Sequence, residues 1–61
     1  MNQLKQGDRL LTKYNEIITF LEYYNENRAF DFIALTSKNK LRNYSFSDIK
    51  YKLRRISNDE D

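Results

Sequence analysis

Three aspartates are the residues of this chain whose side chains could do acid–base or metal chemistry. Asp31 interrupts the apolar stretch "RAFDFIALT", and Asp8 and Asp48 lie in polar segments on either side of it. Paired carboxylates can act as general acid and base or hold a divalent cation. The sequence contains no His and no Cys, so it offers no imidazole or thiolate ligand. Because the aspartates follow no catalytic or metal-binding spacing, we predict that Asp31 faces solvent or pairs with an Arg. We predict no enzymatic activity, no cofactor and no metal site.

Basic residues are concentrated towards the C-terminus, where Asp48 is the only acidic residue between Lys38 and Arg55. Lys and Arg neutralise phosphates and release counterions when a protein binds nucleic acid, and an exposed aromatic ring among them can stack on a base. The run therefore predicts a surface that binds RNA or DNA, provided that two paired strands carry it. Its residues are Lys38, Lys40, Arg42, Lys50, Lys52 and Arg54, with Tyr44 as the aromatic ring.

Alternation along the last predicted strand would separate its apolar side chains from its basic ones. Successive side chains of a strand point to opposite faces, so Ile49, Tyr51 and Leu53 would face the interior and the intervening basic residues would face solvent. A second interpretation is that Lys and Arg merely keep an outer or edge strand soluble and prevent it from pairing with another chain. The sequence alone leaves both interpretations open.

A tyrosine-rich segment, "LEYYNENRAF", provides a different candidate surface. Tyr23, Tyr24 and Arg28 have the composition common at protein contacts. Because neighbouring strand residues point to opposite faces, at least one of the two rings should reach water. The alternative function is therefore a protein–protein adaptor or inhibitor, such as a phage or mobile-element accessory protein that docks on a host protein. Richness in Asn, Lys, Ile, Tyr and Phe is typical of such AT-rich genomes.

The length of 61 residues allows one small domain. We predict that residues 1–57 form it and that residues 58–61 are an acidic tail. A chain of this size buries only about 60% of the surface that it exposes when unfolded. With no disulfide available, stability must come from the four Phe and five Tyr, or from self-association, and we expect a monomer or a weak homo-oligomer. Neither a leader peptide nor an apolar segment of membrane-spanning length is present, so we expect a cytoplasmic protein without membrane contact.

Two secondary-structure interpretations compete. Apolar residues recur at helical spacing over residues 8–24, and Ser47 could cap a second helix over residues 47–56, which would give a helical bundle or a helix-turn-helix. Turn-forming residues, including Asn15 and Asn39, recur at the spacing of short antiparallel strands, and Asn tolerates the left-handed conformation of tight hairpins. We therefore predict an all-β fold with strands over residues 9–14, 16–24, 28–36, 41–46 and 50–56.

The segment "GDRLLTKYNE" resembles the opening strand and turn of small barrels of the Src-homology-3-like superfold, including KOW and Tudor-type domains. "YSFSDIKYKL" resembles their closing unit, in which the fourth strand passes through one helical turn into the fifth. The resemblance extends from Gly7 to Ile56 and implies a five-stranded antiparallel barrel with one helical turn before the last strand. Because this superfold carries many unrelated functions, the resemblance does not choose between nucleic acid and protein as the partner.

Overall fold

The computed structural model of the chain describes residues 4–24 and 29–53. It is all-β, with five antiparallel strands in one sheet and one turn of 3-10 helix before the last strand. In chain order these elements are β1 (Arg9–Thr12), β2 (Ile17–Tyr23), β3 (Phe32–Leu35), β4 (Leu41–Tyr44), the 3-10 turn η1 (Phe46–Asp48) and β5 (Ile49–Lys52). The predicted fold class and the helical turn are confirmed. The helical alternative is wrong for the described parts of residues 8–24 and 47–56. The predicted acidic tail, residues 58–61, lies outside the described residues.

The strand order is β4-β3-β2-β1-β5, so the last two strands in sequence form opposite edges of the sheet. Consecutive strands from β1 to β4 pair as a meander, and β5 returns to pair with β1. The sheet is not closed, because no ladder joins β4 to β5 in the part of the chain that the structure describes. Closure into the predicted barrel is not seen: over these residues the five strands form one open sheet.

The core lies on one face of the sheet and is built from alternate residues of the strands. Ile18 and Phe20 are the buried pair on β2, and their neighbours across β1 and β3 are also buried. The fully or nearly fully buried residues are Leu4, Leu10, Thr12, Ile18, Phe20, Phe32, Ala34 and Tyr44. A bulge at Leu21 adds one residue to β2, so that Tyr23 comes back to the core side opposite Phe32.

Aromatic rings fill the centre of this core. The ring centroid of Phe32 lies 5.3 Å from that of Phe20, 5.9 Å from that of Tyr44 and 5.6 Å from that of Phe46. Phe32 thereby joins β3 to β2, to β4 and to η1. Aromatic pairs at such distances contribute about 0.5–1.5 kcal/mol each beyond the area that they bury.

Two hairpin turns share one construction. Thr12 begins the β1–β2 turn, and its hydroxyl oxygen accepts hydrogen bonds from the backbone N–H groups of Tyr14 and Glu16. Thr36 begins the β3–β4 turn and accepts from the N–H groups two and four residues further on in the same way. The fourth residue of each turn is an Asn with positive φ, 65° at Asn15 and 63° at Asn39. The expectation that Asn would supply the left-handed residue of the hairpins is confirmed at both turns.

We expect Phe32→Ala to unfold the domain. Replacing a buried Phe by Ala costs about 3–5 kcal/mol, and a core of this size rarely supplies more than roughly 3–5 kcal/mol in total. Circular dichroism and urea denaturation measure the effect. Phe30→Ala is the matched control, because Phe30 is 43% exposed and its loss should change the free energy of unfolding by less than about 0.5 kcal/mol. Equal unfolding midpoints for the two variants would contradict the central role of Phe32.

A second prediction concerns the left-handed turn residue Asn39. Asn39→Gly should leave the free energy of unfolding nearly unchanged, because Gly adopts positive φ without steric cost. Asn39→Ala should lower it by about 1 kcal/mol, because Ala keeps the Cβ that is disfavoured in this conformation and lacks the polar side chain through which Asn tolerates it. Ser37→Ala in the same turn controls for loss of a polar surface group. The account of the turn is refuted if the Gly and Ala variants of Asn39 have the same urea midpoint.

Candidate interaction surfaces

The predicted basic surface is divided between the two edges of the sheet. Lys38 and Lys40 lie in the β3–β4 turn and Arg42 lies on β4, whereas Lys50 and Lys52 lie on β5. The condition for a single basic surface, that these two strands pair, is not met, because β3, β2 and β1 separate them. The basic residues therefore occupy the positions that the second interpretation assigned to them, on edge strands where charge opposes pairing with another chain. Arg54 and Arg28, also named from the sequence, lie outside the described residues.

A bulge in β5 breaks the alternation predicted for that strand. Tyr51 lies opposite Leu11, but Ile49 lies opposite Thr12, so Lys50 is an extra residue in the ladder. Ile49 therefore packs against the core, as predicted. Tyr51 points to the other face and is 53% exposed, so its predicted interior position is wrong.

Lys52 lies opposite the buried Leu10, on the core side of the edge strand. Its ammonium nitrogen is 3.5 Å from the Asp8 carboxylate, and its side chain remains about half exposed. Such a pair contributes little to stability in water. It does place an acidic group beside one of the cations that the sequence assigned to a phosphate-binding face.

Tyr44 is buried rather than offered to a base. It is 5% exposed and its ring packs on Phe32. Its hydroxyl is buried and has no hydrogen-bond partner among the described residues. Burial raises the pKa of Tyr44, and Glu16 raises it further, while the nearby Arg42 guanidinium lowers it. The predicted role of Tyr44 as a stacking ring is wrong, because Tyr44 pairs across the sheet with Phe32 and its ring lies in the core.

Asp8, Asp31 and Asp48, the aspartates among the described residues, each accept a hydrogen bond from a backbone N–H group. Asp8 accepts from Lys5 at 2.8 Å, Asp31 from Phe46 at 2.8 Å and Asp48 from Ser45 at 3.1 Å. Asp31 also bonds through its backbone to Tyr24 and Tyr44, so it ties together the ends of β2, β4 and η1. The expected partner of Asp31 was solvent or an Arg, whereas its carboxylate accepts a backbone N–H group. The described residues contain no group of three or more acidic side chains placed to hold a metal ion.

The two tyrosines of the alternative site take part in the fold. The Tyr23 hydroxyl accepts a hydrogen bond of 2.7 Å from the Leu4 N–H, and its ring packs on Phe20 at 4.8 Å. The Tyr24 hydroxyl donates to the side-chain oxygen of Asn43, on the other face of the sheet. The expected opposite orientation of the two rings is confirmed.

The face of the sheet opposite the core carries a set of apolar side chains that we call the outer band. Ile17 and Tyr51 flank Leu11 directly across the sheet, and Leu35 and Leu41 form a second cross-strand pair diagonal to Ile17. The outer band thus crosses all five strands. Leu41 is 64% exposed, Tyr51 and Ile17 are also exposed, and Leu11 and Leu35 are half-buried.

The sequence does contain a signal for the outer band. An antiparallel sheet with one solvated face shows apolar and polar residues in alternation, whereas strands covered on both faces show continuous apolar runs. "FIAL" in β3, Leu10-Leu11 in β1 and Ile17-Ile18 in β2 are such runs. Each places one apolar residue in the core and its neighbour on the outer face.

Both ends of the outer band lie between basic residues. Leu41 follows Lys40 and precedes Arg42 on one edge of the sheet, and Tyr51 lies between Lys50 and Lys52 on the other. The four basic side chains are exposed. Successive strand residues point to opposite faces, so Arg42, opposite the buried Ala34, and Lys52, opposite the buried Leu10, lie on the core side of these edges and not on the outer face.

Comparisons of the chain with models of protein families, with curated proteins and with solved structures found no match. Over residues 4–24 and 29–53, no helix is long and apolar enough to cross a membrane.

We expect Tyr44→Phe to stabilise the protein. The substitution removes a buried hydroxyl that has no partner, and leaving such a group unsatisfied costs about 1–3 kcal/mol. The advantage of the variant should grow above pH 10. The unfolded chain releases the Tyr44 proton near the usual pKa of 10.0, whereas burial raises the pKa of this phenol in the folded state. The native state then binds more protons than the unfolded state, so the free energy of unfolding of the original protein falls as the pH rises.

Urea denaturation at neutral pH and above pH 10 measures this difference. Lys13 acts in the same pH range, because the Tyr14 phenol and the Asp48 carboxylate raise the pKa of its ammonium group. Lys13→Gln is therefore the control: it removes the contribution of Lys13 to the pH dependence and leaves that of Tyr44 in place. A Tyr44→Phe variant that is less stable than the original protein at neutral pH would show that the hydroxyl has a stabilising partner.

Proposed function

We propose that this chain is a non-enzymatic binding module and that it binds another protein through the outer band. The observation that carries the proposal is the apolar row across all five strands, from Tyr51 through Leu11 and Ile17 to Leu41. Monomeric proteins rarely expose contiguous apolar surface unless it serves an interaction. The solvated face of an antiparallel sheet usually carries polar residues, whereas these positions of the sheet carry apolar ones.

Charge on the edges favours binding through the face of the sheet rather than by addition of a strand. An exposed edge offers unpaired N–H and C=O groups to any extended segment, and Lys or Arg side chains along it oppose such pairing. Lys40 and Arg42 mark one edge and Lys50 and Lys52 the other. The outer band lies between these edges and is open to a folded partner. An Src-homology-3-like superfold is supported by the same strand order and by η1, and we propose it as the architecture of the module.

Nucleic-acid binding is a second candidate, and one observation favours it. Lys38, Lys40 and Arg42 are exposed along a single hairpin, and within the described residues none of them forms an ion pair with a carboxylate. Such a group can contact successive phosphates. Two features on which this prediction depended are missing. No exposed ring accompanies the cations, because Tyr44 is buried, and Lys50 and Lys52 lie on the opposite edge of the sheet. We therefore place protein binding first.

The test is a pull-down from the source cells with and without nuclease. We expect the original protein to capture one stoichiometric protein partner, resistant to nuclease, and Ile17→Thr, Leu41→Thr and Tyr51→Thr together to lose it. Thr keeps the strand propensity of these exposed positions and removes their apolar surface. The control is Tyr14→Thr, because Tyr14 is 71% exposed but lies in the β1–β2 turn, outside the outer band.

Two results would overturn the proposal. One is that the triple variant still captures the partner when circular dichroism shows that the variant and the original protein are both folded. The other is capture that nuclease abolishes, with binding to labelled RNA or DNA that Lys38→Glu and Lys40→Glu together remove and the triple variant leaves unchanged. That second result would support the nucleic-acid candidate.

A further inference from the structure

Two charged residues of opposite sign lie on the outer face of the sheet. Arg9 lies opposite Thr19, and Glu22 lies opposite Ile33. Thr19 and Ile33 each stand between two buried neighbours, so they and the charged residues opposite them point away from the core. Arg9 and Glu22 are exposed, and within residues 4–24 and 29–53 neither forms an ion pair. The face therefore offers one cation and one anion to whatever covers it.

The ladders arrange the outer face of β1 to β4 in three rows that cross the strands. In order along the strands, the rows are Leu11 with Ile17; Arg9 with Thr19, Leu35 and Leu41; and Glu22 with Ile33. The two charged residues thus occupy adjacent rows on adjacent strands. Apolar residues occupy the rows on both sides of the middle one.

We propose that the outer band binds a second copy of this chain, an inference that rests on the proposed function. A twofold interface brings the same surface of two copies together, so that surface must be complementary to itself. A twofold axis that lies in the interface and crosses the line from Arg9 to Glu22 at its midpoint, at right angles, exchanges the two positions. Arg9 of each copy then lies over Glu22 of the other. The same rotation brings Leu11 towards Ile33 of the other copy and Leu35 towards Leu35.

The size of the chain gives self-association a physical reason. A chain of 61 residues buries a smaller fraction of its surface than a larger domain does. Leu41 is 64% exposed and Tyr51 is 53% exposed, and both lie on this face. Covering the outer band removes such side chains from water, and association linked to folding raises the stability of the folded state. Twofold dimers are the commonest oligomers of soluble proteins.

Sedimentation velocity of the full chain over a range of concentrations tests this inference. We expect a dimer that the triple variant of the outer band loses. Arg9→Glu and Glu22→Arg each place like charges at both charged contacts of the dimer, so each should weaken association at least about tenfold at low salt. An equimolar mixture of these two variants should restore the dimer, because the mixed dimer pairs opposite charges at both contacts. The differences should shrink as salt is added.

The mixture separates contact between copies from pairing within one copy, because a chain that repels itself internally gains nothing from mixing. Lys38→Glu is the matched control. It changes the net charge by as much as Arg9→Glu does but lies in the β3–β4 turn, and it should leave the dimer intact. Circular dichroism establishes that each variant is folded.

Three results would overturn the second copy as the occupant. One is a monomer at every concentration. The second is a dimer that the triple variant retains, which would place the contact on another surface. The third is a mixture of Arg9→Glu and Glu22→Arg that associates no better than either variant alone. The proposed function still stands if a different protein is captured and the triple variant loses it. Both proposals fail if neither a dimer nor a captured protein depends on the outer band.

Discussion

The ring of Phe32 lies at the centre of the buried face, where it packs against rings from β2, β4 and η1. Five short strands can form only one small apolar core, and these contacts determine on which face of the sheet the core forms. Tyr44 must turn inward because it lies opposite Phe32 in the ladder, and η1 must cross the end of the sheet for Phe46 to reach the same ring. The remaining features of the structure follow from the choice of this face.

Two polar side chains near the core form hydrogen bonds with backbone N–H groups. Thr12 is fully buried, yet its hydroxyl oxygen accepts two backbone N–H groups of its own turn. Asp31 accepts the first N–H group of η1 and so fixes the start of the segment that leads into β5. The hydrogen bonds to Thr12 are short-range and allow a chain with a single Gly and no Pro to turn tightly, whereas the bond to Asp31 joins residues 15 apart. Tyr44 is the exception, since its hydroxyl is buried without a partner in the described part of the chain.

Because one face closes on the core, the apolar residues of the other face remain open to solvent. The bulge at Lys50 strengthens this division, since it sends Ile49 to the core and Tyr51 outward. The outer band is thus a consequence of register. A sheet with the same composition but without this bulge would place Tyr51 beside Ile49 on the core side and would shorten the exposed row.

The sequence by itself determined the local features: strands in place of helices, turns at Asn15 and Asn39, the helical turn before β5 and the density of charge near the C-terminus. Each depends on residues close together along the chain, through backbone preference and side-chain hydrogen bonds within a turn. Only the tertiary structure decided which strands lie at the edges, where β5 carries its bulge, and whether Tyr44 or Tyr51 reaches water. Those outcomes depend on pairing between distant segments, and a shift of one residue in that pairing exchanges the faces of every side chain beyond it.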